Sequence, residues 1–224
     1  VFAHGWWTNE GEKISKSLGN VIDPYELKET FGLDQTRYFL LREVPFGNDG
    51  DFRREAMVTR MNSDLANNLG NLAQRSLSMI AKNLDGVVPE VTLMAEDEKL
   101  IAMAGPDLLN EVRDLLDVQA FNRALEAVWV VLGEANAYID AQAPWTLKKT
   151  DPERMAAVLY TVAETVRRVA LILQPFMPES TGKMLDLVAQ PADERGFDAL
   201  GQALKAGTEL PKPSGVFPRF VEAE

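Results

Sequence analysis

The sequence predicts a mainly α-helical protein that begins with a small mixed α/β segment. Three observations point to this. From about residue 52 onward, apolar residues return at helical spacing in one segment after another. Those segments are bounded by helix start and stop signals such as Asp85-Gly86, Thr150-Asp151-Pro152 and Met177-Pro178. Before residue 52 the spacing is different, with strand-like apolar residues followed by a loop rich in Gly, Ser and Lys. Successive long helices with short connections imply a bundle.

Taken in order, residues 1–7 have strand character and the loop occupies 8–20. Asp23-Pro24 opens a short helix over Tyr25 to Phe31, with Asp at the cap, Pro at the first helical position and Gly32 closing it. Asp34 caps a second short helix through Leu41 and pairs with Arg37, while Gly47-Asn48-Asp49-Gly50 is a turn. Met57, Met61, Leu65, Leu69, Leu72, Leu77, Ile80 and Leu84 form the apolar stripe of the first long helix, which Asp85-Gly86-Val87-Val88-Pro89 ends. Glu96 to Leu116 reads as a second helix bent at Gly105-Pro106. Phe121, Leu125, Val128, Trp129, Leu132, Ala135 and Ile139 define a third, a fourth runs from Thr150-Asp151-Pro152 to Pro175, and a fifth starts at Met177-Pro178 and fades near Ala189. The tail holds a short helix near Leu200 and then an extended stretch whose Val216, Phe217, Phe220 and Val221 need cover. The expected division is 1–50 for the α/β segment, 51–190 for the bundle and 191–224 for a tail that packs back on the protein.

Composition narrows the function classes. The 224 residues contain no cysteine and a single histidine, His4, so neither a disulfide framework nor a thiolate or multi-histidine metal site is expected. His4, beside Gly5, reads as structural. Glu164, Arg167 and Arg168 interrupt the most apolar run, Met155 to Phe176, so no membrane span and no membrane partner are expected. The cysteine-free composition fits a cytoplasmic protein. A chain starting Val1-Phe2-Ala3-His4 reads as a piece of a longer polypeptide. The net charge of −11 opposes general nucleic-acid binding, so cations for such a role must be local. Arg53, Arg54, Arg60, Arg75 and Lys82 do outnumber Glu55 and Asp64 between residues 53 and 83.

The chemistry concentrates in Gly11-Glu12-Lys13-Ile14-Ser15-Lys16-Ser17-Leu18-Gly19-Asn20. Glycine permits tight turns and close backbone approach, serine hydroxyls and free N–H groups can cradle phosphate, and lysine adds a mobile point charge. Such a loop suits a polyphosphate whose charge rises as a bond breaks. Composition alone leaves a solvated basic turn equally open.

The residues also carry a resemblance. Lys13-Ile14-Ser15-Lys16-Ser17 resembles the Lys-Met-Ser-Lys-Ser signature of class I aminoacyl-tRNA synthetases, with Ile14 where methionine is usual. That signature leaves the valine, isoleucine, leucine and cysteine enzymes open. His4-Gly5-Trp6-Trp7, Leu18-Gly19-Asn20-Val21-Ile22-Asp23-Pro24, Arg37 to Glu43 and Pro45 to Phe52 together resemble the methionine members. The resemblance spans nearly the whole chain, strongest over 2–53 and thinnest over 85–118. It implies the end of a Rossmann-type catalytic domain followed by a helical anticodon-binding bundle. The implied activity is ATP-dependent activation of methionine and its transfer to tRNA(Met), with Mg²⁺ accompanying ATP. Lys16 would then contact the ATP phosphates, Lys13 would assist, and Ser15 and Ser17 would fix the closed loop. The methionine pocket and a His-Ile-Gly-His-type motif would lie upstream of Val1.

Two further places gain a role from that resemblance. Asn67, Asn71 and Arg75 stand four apart and form a polar ridge on the first long helix, by pattern alone a solvated face. Asn71 and Arg75 match the family's anticodon-reading pair. In Gln142-Ala143-Pro144-Trp145, Pro144 stops the third helix and leaves Trp145 at its mouth, where an indole can stack on a splayed-out base or simply pack inward. The family's Ala-Pro-Trp motif favours stacking on the CAU anticodon for Trp145, while Trp6, Trp7 and Trp129 read as packing residues. The reading is therefore a methionine–tRNA ligase segment, expected as a monomer and inactive alone because half the active site is missing. The alternatives are a tRNA-binding module without catalysis and a helical protein-interaction scaffold.

Overall fold

The computed structural model describes residues 2–221. Its first unit is a three-stranded sheet in the order β2-β1-β3. β1 (Trp7–Asn9) and β2 (Glu12–Lys13) form a hairpin across Glu10 and Gly11, whose φ angles of 53° and 81° are both left-handed. Two such residues between paired strands twist the hairpin in the hand that strands prefer. β3 (Gly50–Phe52) runs parallel to β1. Only Trp7 of the expected strand over 1–7 is in β1; Phe2 to Trp6 are not in a strand, and Val1 lies outside the described residues.

α1 (Pro24–Phe31) starts as expected, with the Asp23 carboxylate accepting from the Tyr25 N–H. α2 (Leu33–Glu43) follows, but Asp34 and Arg37 do not pair with each other. Asp34 accepts from the Ser180 N–H at 2.6 Å, and Arg37 donates to the carbonyls of Phe176 and Pro175 at 2.8 and 2.7 Å. Both side chains reach the same distant corner, where helix ends leave unbonded backbone groups that attract opposite charges.

α3 (Arg54–Thr59) continues without a break through a wide, π-helical stretch, Arg60–Gly70, into α4 (Asn71–Asn83). The apolar stripe holds across it, with Met57, Met61, Leu65, Leu69, Leu72, Leu77 and Ile80 all buried. The expected second helix is broken, not bent, into α5 (Ala95–Met103) and α6 (Pro106–Asp117). Pro106 has no N–H to continue the hydrogen-bond ladder, and it starts the next helix instead. α7 (Phe121–Gln142) and α9 (Pro152–Leu173) form the bundle's long axes, and α10 (Pro178–Leu187) closes it. Between α7 and α9 lies a helix the sequence reading missed, α8 (Pro144–Thr150).

α9 is buried almost all round, including Glu164 and Arg167. Buried charges persist when paired and hydrogen-bonded. Arg167 holds Glu164 through two bonds of 2.8 Å and also donates to the Ala199 and Gln202 carbonyls, while the Leu204 N–H donates to Glu164. The charges that interrupt the apolar run thus fasten the segment following α10. No helix among the described residues is long and apolar enough to cross a membrane.

The tail returns along the bundle. Val88 and Thr208 bond across a short bridge, and Asn62 clamps Phe220 by donating to its carbonyl at 3.1 Å and accepting its N–H at 2.8 Å. Phe220 then packs on Phe31 with ring centres 5.1 Å apart. Phe31, Phe39, Phe52, Met57 and Met61 make the small core under the sheet, with Trp7 and Phe220 against it. The large core contains Tyr38 from α2, so the first fifty residues and the bundle share buried surface.

Candidate functional site

The cationic loop leaves β2 at Lys13 and is closed by one side chain. Asn20 accepts the Ser15 N–H at 2.9 Å, donates to the Lys13 carbonyl at 3.1 Å, and its own carbonyl accepts from Asn9 at 2.9 Å. Inside this ring the Leu18 and Gly19 N–H groups bond back to the Ser15 and Lys16 carbonyls, and Gly19 takes a φ of 68°. Ser15 and Ser17 hydroxyls lie 2.7 Å apart, so they shape the turn by bonding each other. Lys13 and Lys16 are exposed, and neither ammonium forms a salt bridge or hydrogen bond among the described residues. An unpaired, solvated ammonium is free to meet an arriving anion.

The base of this loop is pinned by Asp51 on β3. Its carboxylate accepts from the Thr8 hydroxyl at 2.6 Å, from the Gly11 N–H at 2.8 Å and from Arg53 at 2.7 Å. Those bonds, Thr8's foremost, favour the charged form and pull the Asp51 pKa down to about 2. His4 is exposed beside its neighbour's carbonyl and takes no part in the loop.

The second region lies on the bundle. Asn71 is exposed at the start of α4, directly after the π-helical stretch. The expected ridge splits here. Asn67, Asn71 and Gln74 line a groove of about 230 Å³ with Gly215, Phe217 and Arg219 of the tail. Arg75 turns instead to α7, donating to Asp140 at 2.9 Å and Asn136 at 3.3 Å. Asn136 in turn donates to Asn68 at 2.8 Å.

Trp145 sits in the first turn of α8, 49 % exposed. Pro144 before it is buried, and Ala143 adopts left-handed angles (φ 45°, ψ 59°), so the chain turns sharply out of α7. Among the described residues no hydrogen bond or ring contact joins the indole to Asn71 or Arg75. Arg75 instead reaches the last turn of α7 through its salt bridge to Asp140. Lys148 and Lys149 follow Trp145 on the exposed last turn of α8.

The other tryptophans differ. Trp129 is partly buried with its ring 4.7 Å from that of Tyr38, and Trp7 packs on Phe39 at 6.4 Å, both as packing residues. Trp6, expected to pack, is 82 % exposed. The sequence reading also missed Asn20, Asp51, Asp140, Asn136 and the Lys148-Lys149 pair. Asn136 and Asp140 carried a usable signal, two polar residues four apart and so on one face of α7. Asn20 and Asp51 carried none, because Asn20 bonds backbone groups of its own loop and Asp51 meets Thr8 and Gly11 only once β3 pairs with β1.

Comparison with known proteins covers both regions. Residues 1–77 match the family described as tRNA synthetases class I (M), and residues 88–224 match the anticodon binding domain of methionyl tRNA ligase. The methionine–tRNA ligase of Mycobacterium leprae is 55 % identical across all of this chain and 42 % of its own length. That of Brucella melitensis is 56 % identical across all of this chain and 44 % of its own. The apo crystal structure of Mycobacterium tuberculosis methionyl-tRNA synthetase superposes with a TM-score of 0.92 at 51 % identity, covering 100 % of this chain and 44 % of that one. The same organism's enzyme in complex with methionyl-adenylate gives 0.93 at 55 % identity, covering 98 % and 44 %. The chain thus spans less than half the length of the relatives it matches.

Proposed function

The chain belongs to the methionyl-tRNA ligase family, and from that we propose that it supplies two working parts of a methionine–tRNA ligase, a phosphate-handling loop and a reader of the CAU anticodon. The reaction is activation of methionine by ATP followed by transfer of the methionyl group to tRNA(Met). The methionine carboxylate attacks the α-phosphorus, the bond to the bridging oxygen breaks, and pyrophosphate leaves with additional negative charge. Lys16, with Lys13 assisting, neutralises that charge as it develops, which lowers the barrier more than it tightens ground-state binding. Ser15 and Ser17 hold the turn that presents the two ammonium groups. Among the described residues neither ammonium has a protein partner, which supports this reading. Mg²⁺ bound with ATP would lend further charge neutralisation; the chain's own contribution is the two lysines.

On the bundle, Trp145 stacks on an unpaired anticodon base, and Asn71 and Arg75 contact neighbouring base edges. The half-exposed indole carries the reading, since a large apolar ring on a helix end with lysines beside it fits single-stranded RNA. Those lysines supply local cations on a chain whose net charge is −11. The test is titration of the chain with tRNAs that differ only in the anticodon. The reading expects preference for CAU, and equal affinity across anticodons would leave a protein-interaction scaffold as the better description.

A further inference from the structure

The Trp145 indole makes no hydrogen bond or ring contact among the described residues, so it has no such partner to aim it. Its direction is set by the backbone that carries it, and that backbone begins with Ala143 in a left-handed conformation that a non-glycine residue adopts at a cost. Such a conformation persists only where the surroundings over-determine it. The surroundings here converge on the residue before it. Gln142 accepts from Arg154 through two contacts, 3.0 Å from Nη2 and 3.3 Å from Nε, and its amide donates to Glu96 at 3.0 Å. Both ends of the Gln142 side chain are therefore engaged.

Arg154 is itself immobilised. Its guanidinium is buried against the fully buried Asp97, with bonds of 2.5 and 2.8 Å, and also reaches Glu96 and Tyr138. Burial works against the Asp97 charge, but the bonds from Arg154, Tyr138 and the Met94 N–H outweigh it and hold that carboxyl below its ordinary range. Arg154 stands in the first turn of α9, just past Asp151, which caps that helix by accepting the Arg154 N–H at 2.9 Å. One guanidinium thus fastens the end of α7 and the start of α9, the two points between which α8 and Trp145 are strung.

We infer that Gln142 is a positioning residue for anticodon recognition: locked by Arg154 and Glu96, it fixes the α7–α8 turn that presents the Trp145 indole. The inference rests on the anticodon reading of Trp145 given above. It assigns Gln142 a role in selectivity and none in contact with RNA.

The experiment measures affinity of the chain for tRNAs bearing CAU or one altered anticodon, in Trp145→Ala, Gln142→Met, Gln142→Glu and the Trp145→Ala/Gln142→Met pair. Gln142→Met keeps the side-chain length without either hydrogen bond, and Gln142→Asn takes its place if that variant does not fold. Gln142→Glu keeps an acceptor for Arg154. Losing a stacked base costs about fivefold or more in affinity. Gln142→Met is expected to lose CAU preference to a similar degree, Gln142→Glu to lose less of it, because its carboxylate keeps the Arg154 bonds but meets Glu96 without a donor, and the double variant to match Trp145→Ala alone, since a positioning residue has nothing left to position. Should Trp145→Ala weaken CAU binding while Gln142→Met leaves it unchanged, or should the two losses multiply in the double variant, the inference is overturned and the anticodon reading survives. Should Trp145→Ala itself bind CAU normally, the anticodon reading fails and this inference falls with it.

Discussion

Arg37 donates from its Nε to the carbonyl of Phe176 at 2.8 Å, joining residues at opposite ends of the sequence across the junction of α2 with the α9–α10 corner. Its second bond, to the Pro175 carbonyl, and the Asp34 bond to the Ser180 N–H make the same corner a shared seat for both ends of adjoining helices. Hydrogen bonds to a charged group contribute about 1.5–3 kcal/mol, and the stranded carbonyls add a desolvation cost. Arg37→Ala is therefore expected to lower the chain's stability by about 2–3 kcal/mol. Urea denaturation with an unchanged slope checks this. An unaltered midpoint would mean that α2 docks by its apolar face alone.

The signature-like loop gives the opposite expectation. Lys16 is solvated and has no partner among the described residues, so Lys16→Ala leaves the stability of this chain within about 0.5 kcal/mol of the parent. In a complete ligase carrying the same segment, adenylate formation falls by about a hundredfold, roughly 3 kcal/mol of lost transition-state stabilisation, while methionine affinity barely changes. Pyrophosphate exchange against methionine binding separates the two. An unchanged exchange rate would remove Lys16 from the chemistry.

Asp51 sets an acid limit on the loop. Its carboxyl titrates at about 2 in the folded chain against 3.8 ordinarily, so folding binds the deprotonated form more tightly. A depressed folded value means the contribution is complete above about pH 4, declines as pH falls, and is lost once the folded carboxyl takes up its proton near 2. The Gly11 amide, which donates to Asp51, reports this directly. Its NMR shift is expected to hold steady down to about pH 3 and move with a midpoint near 2. A midpoint near 4 would mean the three bonds to the carboxylate do not persist in solution.

Much of this was legible beforehand because it rests on local rules. The apolar stripe from Met57 to Ile80 and the Asp23-Pro24 and Asp151-Pro152 starts follow from side-chain spacing and capping, and the bundle follows from them. What stayed hidden depends on partners far along the chain. Asp34 and Arg37, three apart on one helix, read as a local pair, yet each finds a stronger partner in a helix end more than a hundred residues away. The π-helical stretch before Asn71 leaves no mark in residue spacing, because Leu65 and Leu69 fit the ordinary period as well. Seven-residue α8 was too short to show a period at all, so Trp145 was read as beyond a helix when it lies in the first turn of the next. At the candidate site the residue types were legible; the holding roles of Asn20 and Gln142 were not.

Ala143 tests whether the turn before Trp145 is maintained at the expense of stability. Its φ of 45° brings the Cβ close to its own carbonyl, a strain of about 1–2 kcal/mol for an L-residue that glycine does not bear. Glycine also frees the unfolded chain, which offsets about 0.4–1 kcal/mol of that relief. The larger effect is the strain, so Ala143→Gly is expected to raise stability by up to about 1 kcal/mol. A β-branched residue tolerates this conformation least, so Ala143→Val is expected to lower stability by at least about 1 kcal/mol. Binding runs the other way for glycine: with the Cβ gone, the junction between Gln142 and Pro144 samples more directions, and CAU affinity falls even as the fold gains. Parallel thermal unfolding and tRNA titration of the two variants reads both signs. If Ala143→Gly improved stability and affinity together, the left-handed turn would be an accident of packing and not part of how the indole is presented.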